Sequence, residues 1–242
     1  MHRVLMSLKM ARPSVSHILP VLATVLLLVL LPGTGMTAQN PDADKPVPEN
    51  ILRVAHSGLM PFLRTIPPED FAQYGIPDGI NLEDISLGTA HRVYTVDFAS
   101  SAGSPVGKLS SMLEPTSMWF FQATHEGEPC CILTVGYLNG EYRAVAIGSA
   151  GIAKELHQLE QEYPGEAGYS KVFVRVFRAT SDLVLVTREG ENEKVAGLLS
   201  ARVSLKLEEQ VSGAHTLWDS DAIAAKLMTA VETDAEQQEG TR

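Results

Sequence analysis

The chain has 242 residues, a formal net charge of −10 and 45% hydrophobic residues. This length suits one domain of ordinary size, or at most two small ones. The acidic balance repels nucleic acids and anionic lipid surfaces, and the sequence contains no basic stripe. A nucleic-acid-binding function is therefore disfavoured.

The N-terminus has the order of a secretory signal peptide. Three basic residues and no acidic residue precede Asp42, and an apolar block follows at 18–31, before the small residues Thr37 and Ala38. A membrane-spanning helix needs about 20 apolar residues, so this block is short for an anchor and suits a signal core. We predict cleavage near Ala38. The alternative is an uncleaved N-terminus that tethers a structural envelope protein to the membrane.

Cleavage of 38 residues would leave 204 residues. It would remove three of the 19 basic residues and none of the 29 acidic ones, so the formal charge would become −13. The predicted organisation is a signal peptide (1–38), a disordered linker (39–50), a single globular domain (51–233) and a disordered tail (234–242). We expect a secreted or periplasmic protein that makes no membrane contact after cleavage.

The chain has two cysteines, and they are adjacent: Cys130 and Cys131. The only internal disulfide possible is the vicinal one, which would strain the backbone. Stability is therefore expected to come from a hydrophobic core. A closed zinc site needs four ligands, and no second His/Cys pair has suitable spacing, so we predict no metal and no cofactor.

The first part of the predicted domain has weaker patterns. Residues 51–58 suggest a short strand. Pro67-Pro68 predicts the start of a helix that ends at Gly75, and alternation from Arg92 predicts a strand. Residues 100–111 are rich in Ser and Gly and predict a loop.

The clearest pattern is a run of strands over 118–124, 130–137 and 141–147. The turn between the first two is predicted at 125–129. Asn139-Gly140, between the second and third, is the strongest short hairpin signal, because both residues tolerate positive φ.

A helix follows the turn Gly148–Gly151, since its apolar residues recur at spacings of four, three and four: Ile152, Leu156, Leu159 and Tyr163. Strands are predicted at 171–177 and 182–187, and a helix at 219–233; 194–207 suits either a helix or a strand. No internal repeat is evident. The fold class is α+β: an antiparallel β-meander (strand-strand-strand-helix-strand-strand) with two or three packed helices.

The best chemical cluster is predicted at the first hairpin. A loop at 126–129 would place His125 directly opposite Cys130, where an imidazole can lower a thiol pKa and create a nucleophile. The alternative is that both cysteines are small buried hydrophobes and His125 is an exposed turn residue.

The same register would pair Trp119 with Gly136, and the Asn139-Gly140 turn would pair Gly136 with Arg143. Arg143 would then stack on the indole, or the space beside Gly136 would form the floor of a ligand groove.

Two weaker candidates remain. The turn Gly148–Gly151 has glycines before a helix N-terminus, as anion sites do, although a plain strand-to-helix turn is the favoured interpretation. Ser57, His91 and Asp97 can be combined into a hypothetical triad, as almost any chain of this size permits.

The predicted strands place apolar residues on both faces of the sheet. Trp119, Phe121, Ile132 and Ile147 would share one face, and Met118, Phe120, Leu133 and Val135 the other. One helix does not easily cover both, so an apolar surface could remain for a partner. The leading hypothesis is therefore a non-enzymatic exported module that binds a protein or a small-molecule ligand; the alternative from another class is a thiol-dependent enzyme that uses Cys130 and His125.

Overall fold

A computed structural model describes residues 46–98, 107–208 and 215–239, with side chains as far as residue 233. The predicted signal peptide, most of the linker and most of the 100–111 loop lie outside these ranges. The helices are α1 (Glu49–Leu63), α2 (Ala150–Glu162), α3 (Leu199–Ser204) and α4 (Ser220–Glu239). The strands are β1 (Ile85–Val96), β2 (Leu113–His125), β3 (Glu128–Leu138), β4 (Glu141–Gly148), β5 (Tyr169–Val176), β6 (Ser181–Arg188), β7 (Lys194–Gly197) and β8 (Leu217–Asp219).

All eight strands form one sheet in the order β4-β3-β2-β1-β5-β6-β7-β8. The central pair β1/β5 is parallel, and all other neighbours are antiparallel. The α+β class is confirmed, but the sheet is mixed, so the predicted antiparallel meander is not. Each half of the sheet consists of four antiparallel strands that follow a helix in the chain: β1–β4 follow α1, and β5–β8 follow α2. The order of a helix and four strands therefore occurs twice, although the sequence has no evident repeat.

Helix α1 replaces the strand predicted at 51–58, and that prediction was wrong. Ile51, Ala55, Leu59 and Leu63 are all buried and recur at every fourth residue, which places them on one face of a helix. The helix also begins at Glu49, inside the predicted linker. A Cβ atom built on Gly58 would lie 2.4 Å from the Ala144 Cβ, so α1 approaches β4 very closely at this point.

The other predicted elements are mostly present. A 3₁₀ helix, Pro68–Tyr74, ends at Gly75, whose φ is 68°. The ambiguous stretch 194–207 contains both a strand, β7, and a helix, α3. Helix α4 continues to Glu239, into the predicted tail, and β8 was not predicted.

The hairpin between β2 and β3 is tighter than predicted. Its loop is only Glu126-Gly127, with φ values of 52° and 86°, instead of 126–129. A bulge at Cys130 follows, because Ala123 pairs with Cys131 and Thr124 with Pro129. The Asn139-Gly140 turn was predicted correctly, with φ values of 53° and 90°.

This register corrects the predicted faces of the sheet. Leu133 pairs with Phe121, and Val135 with Trp119, so these four residues share one face. Ile132 lies on the opposite face. A register error of one residue exchanges the two faces of a strand, and here the bulge caused that error.

Helices cover both faces of the sheet. Helix α1 packs against one face in the half formed by β1–β4, and α4 packs against the same face in the other half; we call this the α1 face. Helix α2 packs on the opposite face, the α2 face, against residues of both halves: Val93, Phe120, Ile132, Phe173, Val184 and Val186. The completely uncovered apolar face that would favour a protein partner is thus not present in the described part of the chain.

Candidate ligand-binding cleft

An open cleft of about 380 Å³ lies on the α2 face, where the C-terminal end of α2 passes over the middle of β1 and the first residues of β5. The helix supplies Glu160, β1 supplies Thr89 and His91, and β5 supplies Lys171. The remaining lining residues belong to the α2–β5 connection and the start of β5: Pro164, Gly165, Glu166, Tyr169 and Ser170. We refer to this site as the ionic cleft.

The strand period explains why charged groups lie here beside the core. Tyr169, Lys171 and Phe173 alternate along β5 and so point to one face of the sheet. Phe173 is 1% exposed and packs in the core under α2, and Lys171 lies on the same face two residues earlier. Likewise, His91 precedes the buried Val93 on β1 by two residues.

His91 and Glu160 form the centre of the ionic cleft. The His91 Nε2 atom is 3.4 Å from Glu160 Oε1, and the side chains are 9% and 23% exposed. Thr89 donates its hydroxyl to Glu160 Oε2 at 3.2 Å, and the buried Gln122 places its Nε2 atom 3.5 Å from His91 Nε2. The Glu160 carboxylate is therefore held by His91 at one oxygen and by Thr89 at the other.

The electrostatics of the cleft favour an ionised Glu160. Burial alone would raise the pKa of this carboxyl group, but the hydrogen bond and charge of His91, the Thr89 hydroxyl and the charge of Lys171 lower it overall. Burial lowers the pKa of Lys171, and the charges of Glu160 and Glu166 oppose that change. The negative Glu160 and the positive Lys171 are thus both partly buried in the ionic cleft.

The last turn of α2 is fixed by two further contacts. Lys171 Nζ donates a hydrogen bond of 2.6 Å to the Tyr163 carbonyl, and His215 Nδ1 lies 3.0 Å from Glu162 Oε2. Because β5 and the segment before β8 both hold this turn, the walls of the ionic cleft are positioned by rigid elements.

The predicted thiol site has a different geometry. His125 pairs with Glu128, so the predicted pairing with Cys130 was wrong. Cys130 and Cys131 are free and buried. Burial raises the pKa of Cys130, and the His125 backbone and the charge of Lys154 only partly oppose it. Burial and the neighbouring thiol raise the pKa of Cys131 to about 12.

These thiols should resist alkylation in the folded protein. With iodoacetamide at pH 8, we expect no modification of Cys130 or Cys131 within a time that fully modifies both in guanidinium chloride, because the reactive thiolate is disfavoured and covered. Intact mass measured over time provides the readout. Fast labelling of Cys130 in the folded chain, with a midpoint near neutral pH, would instead favour the thiol enzyme.

Trp119 and Arg143 are not brought together. Trp119 pairs with Val135, and its side chain, 7% exposed, lies on the α1 face beside Arg92, whose Cζ atom is 5.9 Å from the indole centroid. The pairing of Gly136 with Arg143 was predicted correctly, but it places Arg143 on the opposite face, where it forms an ion pair with Glu141. The predicted stacking of Arg143 on Trp119 was therefore wrong.

The weaker candidates are also separated. Ser57 lies on α1 and donates its hydroxyl to the Val54 carbonyl, whereas His91 lies on the α2 face, so the hypothetical triad with Asp97 does not assemble. Gly148–Gly151 is the connection between β4 and α2, with Ser149 at a φ of 56°. Within the described residues, no group of three or more His, Cys, Asp or Glu side chains is arranged to hold a metal ion.

Comparisons with protein-family models, with curated proteins and with solved structures found no match to this chain. In the part of the chain that the structure describes, none of the helices combines the length and apolar character needed to cross a bilayer.

Sequence reasoning named His91 only in the hypothetical triad with Ser57 and Asp97, and it missed Glu160 and Lys171. The available signal was the alternation in β5, which places a lysine on the same side of the strand as Phe173. A charged residue at a core-facing position of a strand needs a partner or an opening to solvent. Lys171 has both, since it donates a hydrogen bond to the Tyr163 carbonyl and lines the open cleft.

Proposed function

We propose that the protein is a non-enzymatic exported module that binds a small ionic ligand in the ionic cleft. The observation that supports this most strongly is the convergence of His91, Glu160 and Lys171, from three different elements, on one open cavity. Ligand sites are typically concave and carry a few precisely placed polar groups, and perturbed pKa values concentrate at such sites.

A small ligand is favoured over a protein partner. Helices cover both faces of the sheet, and the exposed large apolar side chains of the described residues are spread over several elements: Leu52, Tyr137, Leu138, Val145, Phe177, Leu199 and Val203. The cleft, in contrast, is polar and of the size that suits a small molecule.

Export remains part of the proposal and depends on the N-terminal sequence alone. Its order of basic, apolar and small residues is typical of a cleaved signal peptide. The mass of the chain recovered outside the cytoplasm tests this, since cleavage after Ala38 predicts a chain that starts at Gln39, and an intact Met1 at the membrane would favour the tethered alternative.

The thiol-dependent enzyme is the rival proposal, and its geometry gives it less support. A nucleophilic cysteine needs a lowered pKa, whereas burial raises the pKa of both cysteines. The His125 imidazole is also displaced from the pairing position that the mechanism requires.

A ligand screen with a matched variant tests the binding function. We expect thermal unfolding of the mature chain to shift upward with at least one class of ionic small molecule in a panel of carboxylates, phosphates, amines and amino acids. The shift should be lost in Glu160→Gln, which removes the central charge, and retained in Glu128→Gln, which changes an exposed glutamate at the start of β3.

Two results would contradict the proposal. One is a panel in which no compound raises the unfolding temperature. The other is an equal shift in wild type and in Glu160→Gln. If Glu160→Gln folds poorly, Glu166→Gln provides the second variant, because Glu166 is exposed at the rim of the cleft and its substitution leaves the core unchanged.

A further inference from the structure

The ionic cleft offers groups of opposite charge to one small ligand. Lys171 lies on the strand floor, Glu160 on the helix wall and Glu166 on the connection that closes the rim. Both glutamates are near enough to Lys171 to act on its charge. A ligand with a single charge would satisfy one of these groups and leave the opposite one unmatched.

Lys171 has donors to spare for a ligand. An ammonium group carries three N–H donors, and one of them is used by the Tyr163 carbonyl at 2.6 Å. Within the residues that the structure describes, Lys171 forms no ion pair with a carboxylate. Its partly buried charge is therefore a natural partner for a ligand carboxylate.

Glu166 has acceptors to spare. Glu160 is already engaged by His91 and Thr89, so it supplies a fixed negative charge in the wall. Glu166 is exposed at the rim and, among the described side chains, forms no hydrogen bond or ion pair. Glu160 and Glu166 both line the cleft, so an ammonium group of a ligand would meet negative charge from the helix wall and from the rim.

We infer that the ionic cleft binds a small zwitterion of the α-amino acid type, with its carboxylate at Lys171 and its ammonium group at Glu166 beside Glu160. The volume of about 380 Å³ is near the lower end of ligand pockets and suits a molecule of this size. This inference rests on the proposed binding function and specifies its ligand.

Calorimetric titration of the mature chain tests the ligand class directly. The probes are L-alanine, L-leucine, L-glutamate and L-lysine, with propionate and ethylamine as analogues of alanine that each lack one charge. We expect at least one amino acid to bind, and the singly charged analogues to bind at least about tenfold more weakly, because each forms only one of the two proposed ionic contacts.

Variants assign the two charges of the ligand. Lys171→Met and Glu166→Gln should each lower the affinity for the amino acid by about tenfold or more. Lys154→Met and Glu128→Gln, at exposed positions outside the cleft, should leave it unchanged. Glu166→Gln keeps the test valid if Lys171→Met folds poorly, since Glu166 is solvent-exposed.

The outcomes separate this inference from the function on which it rests. Equal binding of propionate and alanine would show an anion site, and equal binding of ethylamine and alanine would show a cation site; either overturns the zwitterion. Binding of phosphates that depends on Glu160, without binding of any amino acid, would also overturn it and leave the proposed function intact. No binding of any panel compound would remove both.

Discussion

Replacement of Phe173 by alanine is expected to lower the free energy of unfolding by about 3–5 kcal/mol. Phe173 is 1% exposed and pairs with Val93 across the parallel junction that joins the two halves of the sheet. Its ring lies 5.0 Å from that of Phe120, and α2 covers both. Because strands enclose this position on both sides, the surrounding structure cannot easily collapse into the cavity.

The chain offers a matched control four residues further along. Phe177 follows the end of β5 and is 56% exposed, so Phe177→Ala should change the free energy of unfolding by only about 0.5 kcal/mol or less. Denaturant unfolding followed by circular dichroism measures both variants. Equal effects of the two substitutions would contradict the arrangement of the sheet around β1 and β5.

Replacement of Asp182 by alanine is expected to lower the free energy of unfolding by about 3 kcal/mol. Arg175 donates two hydrogen bonds to this carboxylate, at 2.6 and 3.0 Å, and the Ser200 hydroxyl donates a third at 3.1 Å. The Asp182 side chain is 10% exposed and that of Arg175 is 25% exposed. Without the carboxylate, a guanidinium group that lies over Phe120 would lose its ionic partner in a largely dry position.

A surface ion pair of the same length gives the control. Lys194 and Asp219 also approach to 2.6 Å, but their side chains are 39% and 65% exposed. Water screens this pair, so Asp219→Ala should cost about 0–1 kcal/mol. The double variant Arg175→Met, Asp182→Ala should lose less free energy of unfolding than the two single variants lose in sum, since it leaves no unpaired charge. Additive losses would show that the two residues do not act as a pair.

Sequence patterns predicted the elements with strong local signals. Asn139-Gly140 gave the correct turn and the correct pairing of Gly136 with Arg143, because its backbone preference is local. Helix α2 was predicted from the spacing of Leu156 and Leu159 for the same reason. Helix α1 was missed, although Ile51, Ala55, Leu59 and Leu63 have the spacing of a helix. The predicted strand ended at residue 58 and so left out the last two of these four positions.

The parallel pairing of β1 with β5 was beyond the reach of these patterns. It joins Val93 and Tyr94 to Phe173 and Val174, about eighty residues apart in the chain, and no turn signal encodes such a contact. The bulge at Cys130 was also not predicted. It follows the two-residue Glu126-Gly127 turn, and it exchanged the predicted faces of Ile132, Leu133 and Val135.

The candidate site followed from these long-range contacts. His91, Glu160 and Lys171 come from three elements that meet only because β1 and β5 are neighbours and α2 crosses above both. The site expected from sequence, His125 with Cys130, relied on one predicted register, and the shorter turn with the bulge at Cys130 gave a different pairing.

The central claim is that the ionic cleft binds the ligand, and a nuclear magnetic resonance titration tests it most directly. Amide ¹H–¹⁵N spectra of the mature chain would be recorded with the strongest binder from the ionic panel. We expect the largest shifts at Thr89, His91, Glu160, Glu166 and Lys171, with little change at the β3–β4 hairpin. Shifts centred on that hairpin or on Cys130, or no shifts with any compound of the panel, would contradict the account.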